Sequence, residues 1–154
     1  MTDTNENKAI KLLGVYIKDV SFEAPDGPVI SSQIAGPKTD LNIKSSSSKK
    51  AEDRYEVLIT LSIKANLEDK TLFLVEIVQA GMFEIKGFEE KELSLILGTY
   101  ALNQIFPFAR EQVAKLVASG GFPPLLLQPI NFDALYAKSQ AQNNESSTEN
   151  IKIH

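Results

Sequence analysis

Residues 57–85 constrain the fold most strongly, because they contain a strand of alternating pattern followed by a strand that is apolar on both faces. Across 57–65 the odd-numbered positions are apolar and the even-numbered ones mostly polar, which predicts a half-buried β-strand. A polar turn at 66–70 leads into a second strand at 71–85, so the two form an antiparallel hairpin.

The second strand of this hairpin carries apolar side chains on both of its faces. Phe73, Val75 and Ile77 share one face, and Leu72, Leu74, Val78 and Ala80 share the other. A sheet with one face in water would alternate apolar with polar residues here, so both faces of this strand must be covered. The cover is either helices of the same chain or another subunit.

Another strand is indicated at 12–22, where β-branched and aromatic residues are frequent. Apolar residues occupy odd positions as far as Ile17 and even positions from Val20 onward. This change predicts a β-bulge, or a strand whose surroundings change along its length. It also leaves Asp19 and Glu23 on a common face.

The segment between this strand and the hairpin contains one more strand. Residues 24–37 are rich in proline and glycine and predict a long irregular crossover. Leu41 and Ile43 alternate with polar residues, which predicts a strand. We expect residues 45–53 to form a solvated loop.

Helices are predicted for the second half of the chain. An acidic start and apolar residues at helical spacing indicate a helix at 89–102. Pro107 suits the first turn of a second helix, which Gly120 and Gly121 would end. Asn131 is a suitable N-cap for a third helix.

This order of strands first and helices after predicts an α+β fold. A chain of 154 residues is long enough for one domain with a substantial core. We expect a flexible N-terminal arm at 1–9, a single domain at 10–137 and a disordered polar tail at 138–154.

Composition argues against several classes of function. The formal net charge of −4 argues against a nucleic-acid partner, because phosphate-binding surfaces need clustered Lys and Arg. The chain has no cysteine, and its single histidine is His154 in the tail. We therefore predict no catalytic residues, no metal site and no cofactor, and we do not expect an enzyme.

Two further features of the sequence bear on chemistry and location. Glu89, Glu90 and Glu92 could be imagined as ion ligands, but acidic residues in a first helical turn need no ion to explain them. The first residues lack the basic start and apolar stretch of a signal peptide, and no run of about 20 apolar residues occurs. We expect a cytoplasmic protein without direct membrane insertion.

Five sequence blocks are specific enough to indicate a family. They are YIKDVSFEAP at 16–25, YEV at 55–57, QAGMF at 79–83, FPFAR at 106–110 and PINFDAL at 129–135. In this order and spacing they resemble the SecB protein-export chaperone family, and the resemblance covers about residues 12–136. It implies an ATP-independent chaperone that keeps unfolded secretory precursors competent for translocation. It also implies delivery of these precursors to SecA, the motor ATPase of the Sec translocase.

The resemblance implies a particular assembly. SecB-like chains have a four-stranded antiparallel sheet followed by helices and form a homotetramer, a dimer of dimers. Val75, Ile77 and Gln79 match positions that the family uses in subunit association, which would explain the cover over the doubly apolar strand. The alternative is that Val75 and Ile77 simply fill the core of one subunit.

A SecA-binding surface is also implied. Asp19, Glu23, Leu74 and Glu76 match the acidic sheet surface that the family presents to the basic, zinc-bearing C-terminal segment of SecA. Two adjacent strands would display three carboxylates around one leucine. Any zinc would belong to SecA. Without the resemblance, exposed carboxylates on a sheet would indicate only solubility.

The family's client groove lies between the crossover with its following strand and the C-terminal helix. The matching residues here are Leu41, Ile43, Leu126, Phe132, Leu135 and Tyr136. Apolar burial is non-directional and so suits unfolded segments of any sequence. The alternative is that these residues are ordinary core. Ala35 stands where a tryptophan is usual, so the aromatic lining of the groove is expected to be thinner.

Two rival functions remain open from the sequence. A SecB-like chaperone dedicated to a toxin–antitoxin pair would share the fold but bind one antitoxin. An enzyme with carboxylate chemistry would need paired acids in a pocket, and the sequence shows no such arrangement.

Overall fold

The computed structural model describes residues 7–28 and 36–152, with side chains described as far as residue 143. Most of the predicted arm, residues 1–6, and Ala35 therefore lie outside the described residues. The elements, in chain order, are β1 (Ala9–Glu23), β2 (Lys38–Ala51), β3 (Arg54–Leu67), β4 (Lys70–Lys86), α1 (Glu90–Gly98), α2 (Tyr100–Ser119) and α3 (Phe132–Lys152). Strands precede helices, which confirms the α+β prediction.

The four strands form one antiparallel sheet in the order β1-β4-β3-β2. The predicted hairpin is β3 and β4, which occupy the centre. β1 pairs with β4 and β2 pairs with β3, so the segment between β1 and β2 carries the chain from one edge of the sheet to the other. Both edges, β1 and β2, are left without a further strand in the described chain.

The doubly apolar strand is covered on one face by helices of the same chain. The cover is close, because a Cβ built on Gly81 of β4 would lie 2.6 Å from Ile105 Cγ2 of α2. We call this side of the sheet the helix face and the opposite side the open face. On the open face Leu74 is 36% exposed, whereas Ala80 is fully buried among its sheet neighbours. Covering by the same chain thus accounts for the face that holds Phe73, Val75 and Ile77.

The prediction of a solvated loop at 45–53 is wrong. β2 continues to Ala51, and its serines pair with β3, with Ser45 opposite Ile59 and Ser48 opposite Glu56. The turn contains Asp53, whose φ of 59° lies in the left-handed region. The strand was not predicted because its side chains here are polar and exposed, so no apolar alternation marks it. It forms because its backbone pairs with that of β3 at the edge of the sheet.

The predicted boundary between the first two helices is also wrong. α1 ends at Gly98, α2 begins at Tyr100, and Pro107 lies inside α2 rather than in its first turn. Interior proline costs roughly 3 kcal/mol in a helix. Buried residues on the same turns, such as Ile105, Phe106 and Ala109, anchor α2 to the sheet and offset this cost. Gly120 and Gly121 follow its end as predicted.

The third helix begins as predicted and extends further than predicted. Asn131 Oδ1 accepts a hydrogen bond of 3.0 Å from the Ala134 backbone N–H, as an N-cap does. The helix continues to Lys152, whereas the polar composition predicts a disordered tail from residue 138. Residues 138–152 contain no glycine or proline, so nothing in the backbone stops the helix. Within the described chain, no helix is long and apolar enough to cross a membrane.

Candidate functional site

Two surfaces gather the residues singled out by the sequence. One lies on the open face where β1 meets β4, and the other lies between β2 and α3 on the helix face. We call the first the acidic face, defined by Asp19, Glu23, Leu74 and Glu76, and the second the groove.

The acidic face depends on a bulge in β1. Ile17 stands opposite Gln79 and Asp19 stands opposite Val78, so Lys18 is an extra residue in the ladder. Without it, Asp19 would stand opposite Ile77 and point to the helix face. The predicted bulge is thus confirmed, and it places Asp19 on the open face.

Rows of paired residues complete the acidic face. Glu23 stands opposite Leu74, which stands opposite Lys64, which stands opposite Asp40. In the next row Ser62 Oγ donates a 3.3 Å hydrogen bond to Glu76 Oε2. These rows line a depression of about 440 Å³ that crosses the sheet from β1 to β2.

Sequence analysis missed Asp40, Ser62 and Lys64 in this surface. The alternating pattern around Leu41 does place Asp40 on the face opposite to Leu41. However, the strand order that brings β2 into the same surface cannot be obtained from local pattern. The result is an open surface with the carboxylates of Glu23, Glu76 and Asp40 around a partly exposed leucine, with Asp40 opposite Lys64 and Asp19 in an adjoining row.

The groove contains four of the six predicted client-binding residues. Ile43, Phe132, Leu135 and Tyr136 line one cavity of about 260 Å³. Phe132 is 2% exposed and contacts the Phe106 ring edge-on, with centroids 5.7 Å apart, so it forms the floor. Leu135 is 45% exposed and forms the rim.

The other two predicted residues do not line this cavity. Leu41 lies two residues from Ile43 along β2 and is 41% exposed. Leu126 is 71% exposed in the connector between α2 and α3. The proline-bracketed connector leaves Leu126 facing solvent.

A second cavity of about 220 Å³ extends the groove. Tyr136 and Gly98 line both cavities, and the serines that line the extension are Ser45, Ser46, Ser47, Ser94 and Ser139. The sequence does not indicate these residues, because Ser45, Ser46 and Ser47 were assigned to a loop, and Ser94 and Ser139 meet them only through the packing of α1 and α3 against β2. The groove therefore passes from an apolar end to a hydroxyl-lined end beside the free edge of β2.

The structure places Val75, Ile77 and Gln79 on the helix face, beneath the cover of α2. Their exposed fractions are 2%, 0% and 2%. Gln79 Nε2 also donates a 3.1 Å hydrogen bond to the Tyr16 carbonyl. Val75 and Ile77 fill the core of one chain, as the alternative interpretation proposed, and Gln79 is buried beside them. Their role in subunit association stays a prediction.

A comparison with family models matches residues 3–143 to the preprotein translocase subunit SecB. The chain belongs to the SecB family. SecB proteins are protein-export chaperones rather than enzymes, and this membership gives the chain that function. The four-stranded sheet followed by helices is the SecB fold.

Curated relatives support this membership over most of their length. The protein-export protein SecB of Nitrosococcus oceani is 46% identical over 140 residues, covering 90% of this chain and 85% of the relative. That of Methylococcus capsulatus is 48% identical, covering 83% and 86%. That of Hydrogenovibrio crunogenus is 38% identical, covering 97% and 100%.

A solved structure shares the fold at lower identity. It is the Mycobacterium tuberculosis Rv1957 SecB-like chaperone in complex with a ChAD peptide from the Rv1956 HigA1 antitoxin. The match has a TM-score of 0.68 at 17% identity and covers 79% of this chain and 90% of the other.

Proposed function

We propose that this SecB-family chain holds unfolded precursor segments in the groove and presents the acidic face to SecA. The observation that carries this proposal is the position of the two surfaces on opposite faces of the same sheet. An occupied groove would leave the acidic face free, so cargo and motor could be bound together. No nucleotide is needed for either step, because both rest on surface complementarity.

The groove suits extended polypeptide chains. Its apolar end, with Ile43 and Leu135, would bury apolar side chains without regard to their order. Its serines and the free edge of β2 supply hydrogen-bonding groups that fit any peptide backbone. Together they explain binding that is generic rather than sequence-specific.

The acidic face suits a basic segment with an apolar side chain. Glu23 and Glu76 flank Leu74 on the open face, and Asp19 lies one further row along. Opposite charge steers association and sets orientation, while Leu74 offers some apolar area. This chemistry fits the basic, zinc-bearing segment of SecA, with the zinc held by SecA.

Association into a homotetramer, a dimer of dimers, belongs to the same proposal. Its support is a set of apolar side chains that the chain itself leaves exposed by 37–45%, among them Leu12, Leu13, Ile17 and Val20 on β1 and Tyr100 and Phe108 on α2. Exposed apolar groups of this kind favour contact with another copy. Several grooves on one particle would then bind one long client with avidity. We place this assembly in the cytoplasm, where precursors are made.

Dedication to a toxin–antitoxin pair is the second candidate. The Mycobacterium tuberculosis structure contains an antitoxin peptide, but at 17% identity it supports only the fold. Relatives at 38–48% identity are named protein-export proteins, which favours export.

A holding assay tests the proposal. A denatured secretory precursor is diluted into buffer with the chain and without ATP, and aggregation is followed by light scattering. We expect suppressed aggregation, and transfer of the precursor once SecA is added. Unchanged aggregation at a large excess of chaperone would contradict the proposal.

A further inference from the structure

Glu56 on β3 is a buried carboxylate that neither surface uses. It is 6% exposed and stands opposite Met82, on the open face of the sheet. Its carboxylate accepts a 2.5 Å hydrogen bond from the Tyr16 hydroxyl and lies 3.1 Å from Lys18 Nζ and 3.8 Å from Lys50 Nζ. A carboxylate this buried is costly unless it is paired, so these partners are required for Glu56 to stay charged.

These contacts join strands that are not neighbours. Tyr16 and Lys18 belong to β1 and Glu56 belongs to β3, with β4 between them. Tyr16 stands opposite Ala80 of β4, and the small, fully buried Ala80 lets the tyrosine reach across the strand. The Glu56 cluster, which we define as Tyr16, Lys18 and Glu56, therefore fixes β1 directly to β3.

Lys18 is also the extra residue of the β1 bulge. Ile17 stands opposite Gln79 and Val20 opposite Ile77, both on the helix face, so Lys18 and Asp19 together stand opposite the single residue Val78. The side chain of Lys18 reaches Glu56, hence it too lies on the open face. Two neighbouring residues of opposite charge thus share one face.

Glu56 draws Lys18 away from the acidic face. Along β4, Glu56 stands beside Met82, four residues from Val78, whereas Glu23 stands beside Leu74, four residues in the other direction. Pairing with Glu56 directs the Lys18 ammonium toward one end of the sheet and leaves Asp19 on the side of Glu23 and Glu76. A free Lys18 ammonium would instead be able to pair with Asp19.

We propose that Tyr16, Lys18 and Glu56 are positioning residues that hold the bulge at Lys18, and so place Asp19 on the acidic face free of the neighbouring ammonium. This inference rests on the proposed role of the acidic face in SecA binding. It adds three residues to those that determine SecA binding, and these three need not contact SecA themselves.

The ionisation of the cluster agrees with this geometry. Burial, together with the hydrogen bond to Glu56, raises the pKa of Tyr16 to about 12. The hydrogen bond from Tyr16 lowers the pKa of Glu56, with help from Lys18 and Lys50 and against the effect of burial. Glu56 is therefore an anion and Tyr16 a neutral donor at neutral pH.

A double-mutant cycle measures the functional part of the proposal. SecA affinity is measured for Asp19→Asn and Glu76→Gln, each alone and combined with Glu56→Gln. Asp19→Asn alone is expected to weaken binding about threefold, as a single surface charge does. In the Glu56→Gln background that loss should fall to less than about 1.5-fold, while Glu76→Gln keeps its full effect. A general loss of stability would reduce both effects alike.

The register of β1 is measured directly by NMR contacts between Asp19 and Val78. Lys18→Met, which removes the ammonium without shortening the chain much, should weaken or shift these contacts. Lys50→Met is the matched control, because Lys50 lies farther from Glu56 and outside β1, and it should leave them intact.

The two measurements separate the inference from the proposed function. Unchanged Asp19–Val78 contacts in both Lys18→Met and Glu56→Gln would overturn the inference, regardless of the measured SecA affinities. The inference would also be overturned if Asp19→Asn reduced SecA affinity by the same factor with and without Glu56→Gln. If neither Asp19→Asn nor Glu76→Gln affects SecA affinity in the wild-type background, the proposed role of the acidic face fails, and with it the functional part of the inference.

Discussion

Gly98 and Tyr136 meet where the two cavities of the groove join. A Cβ built on Gly98 would lie 2.6 Å from Tyr136 Cδ2 and 2.9 Å from its Cε2. Both residues line the apolar cavity and its hydroxyl-lined extension. The absence of a side chain at residue 98 therefore fixes where the Tyr136 ring can lie.

Gly98→Ala is expected to displace the Tyr136 ring and weaken client binding several-fold. The helix itself should not be destabilised, since alanine is favoured over glycine in a helix by about 1 kcal/mol. The measurement is the affinity for a permanently unfolded precursor by fluorescence anisotropy. Gly14→Ala is the control, because a Cβ there meets nothing within 4 Å. Equal affinity of the two variants would show that the ring position does not matter.

Substitutions of Leu135 and Leu126 test whether client binding depends on a position in the groove or only on exposure. Leu135→Ser should weaken client binding by about 1 kcal/mol, or roughly fivefold, because its half-exposed side chain would be covered by cargo. Leu126→Ser should leave affinity almost unchanged, although Leu126 is more exposed, because it lies outside the cavity. A larger loss for Leu126→Ser would mean that the groove has been placed wrongly.

Local sequence pattern was sufficient for the central strands and for the bulge. The alternation from Val57 to Ala65 is regular because one face of β3 is buried. The parity change after Ile17 is visible because Val20 and Phe22 both lie on the helix face, opposite Ile77 and Val75. The resemblance to the SecB family supplied the residues of the acidic face and most of the groove. It could not show that Asp40 joins the acidic face, which depends on strand order.

Pattern failed where tertiary contacts override local preference. The serines of β2 have weak strand preference, yet the β3 ladder holds them in a strand. Pro107 would normally begin a helix, but the buried residues around it keep α2 continuous. Val75 is a core residue for the same reason, since only the packing of α2 shows which of two apolar faces is covered.

Val75→Asp tests the core assignment. A charge at this buried position has no partner, so we expect the free energy of unfolding to fall by several kcal/mol, on the order of 3–5. Urea titration with light scattering at each concentration is the measurement. A stable variant that changes only from tetramer to dimer would restore the interpretation of Val75 as a direct interface residue.

Stability should depend on pH at both ends of the range through Tyr16 and Glu56. The pKa of Glu56 is lowered by folding, so its contribution is present above the unfolded value and is lost as pH falls through the folded one. The pKa of Tyr16 is raised from 10.0 to about 12, so its contribution is present below pH 10 and is lost as pH rises toward 12. The free energy of unfolding of Tyr16→Phe, compared with wild type by urea titration, should therefore converge on the wild-type value between these two pH values. A constant difference across that interval would contradict the assignment.

The central claim is that cargo and motor use opposite faces of one sheet, and SecA affinity of the client-loaded chain tests it most directly. We predict that the chain binds SecA with or without a bound unfolded precursor. Glu76→Lys should weaken SecA binding about fivefold to tenfold in both states while client affinity is unchanged. Glu84→Lys, farther along the open face of β4, should have little effect on SecA binding. Loss of client binding in Glu76→Lys, or exclusion of SecA by bound client, would contradict the account.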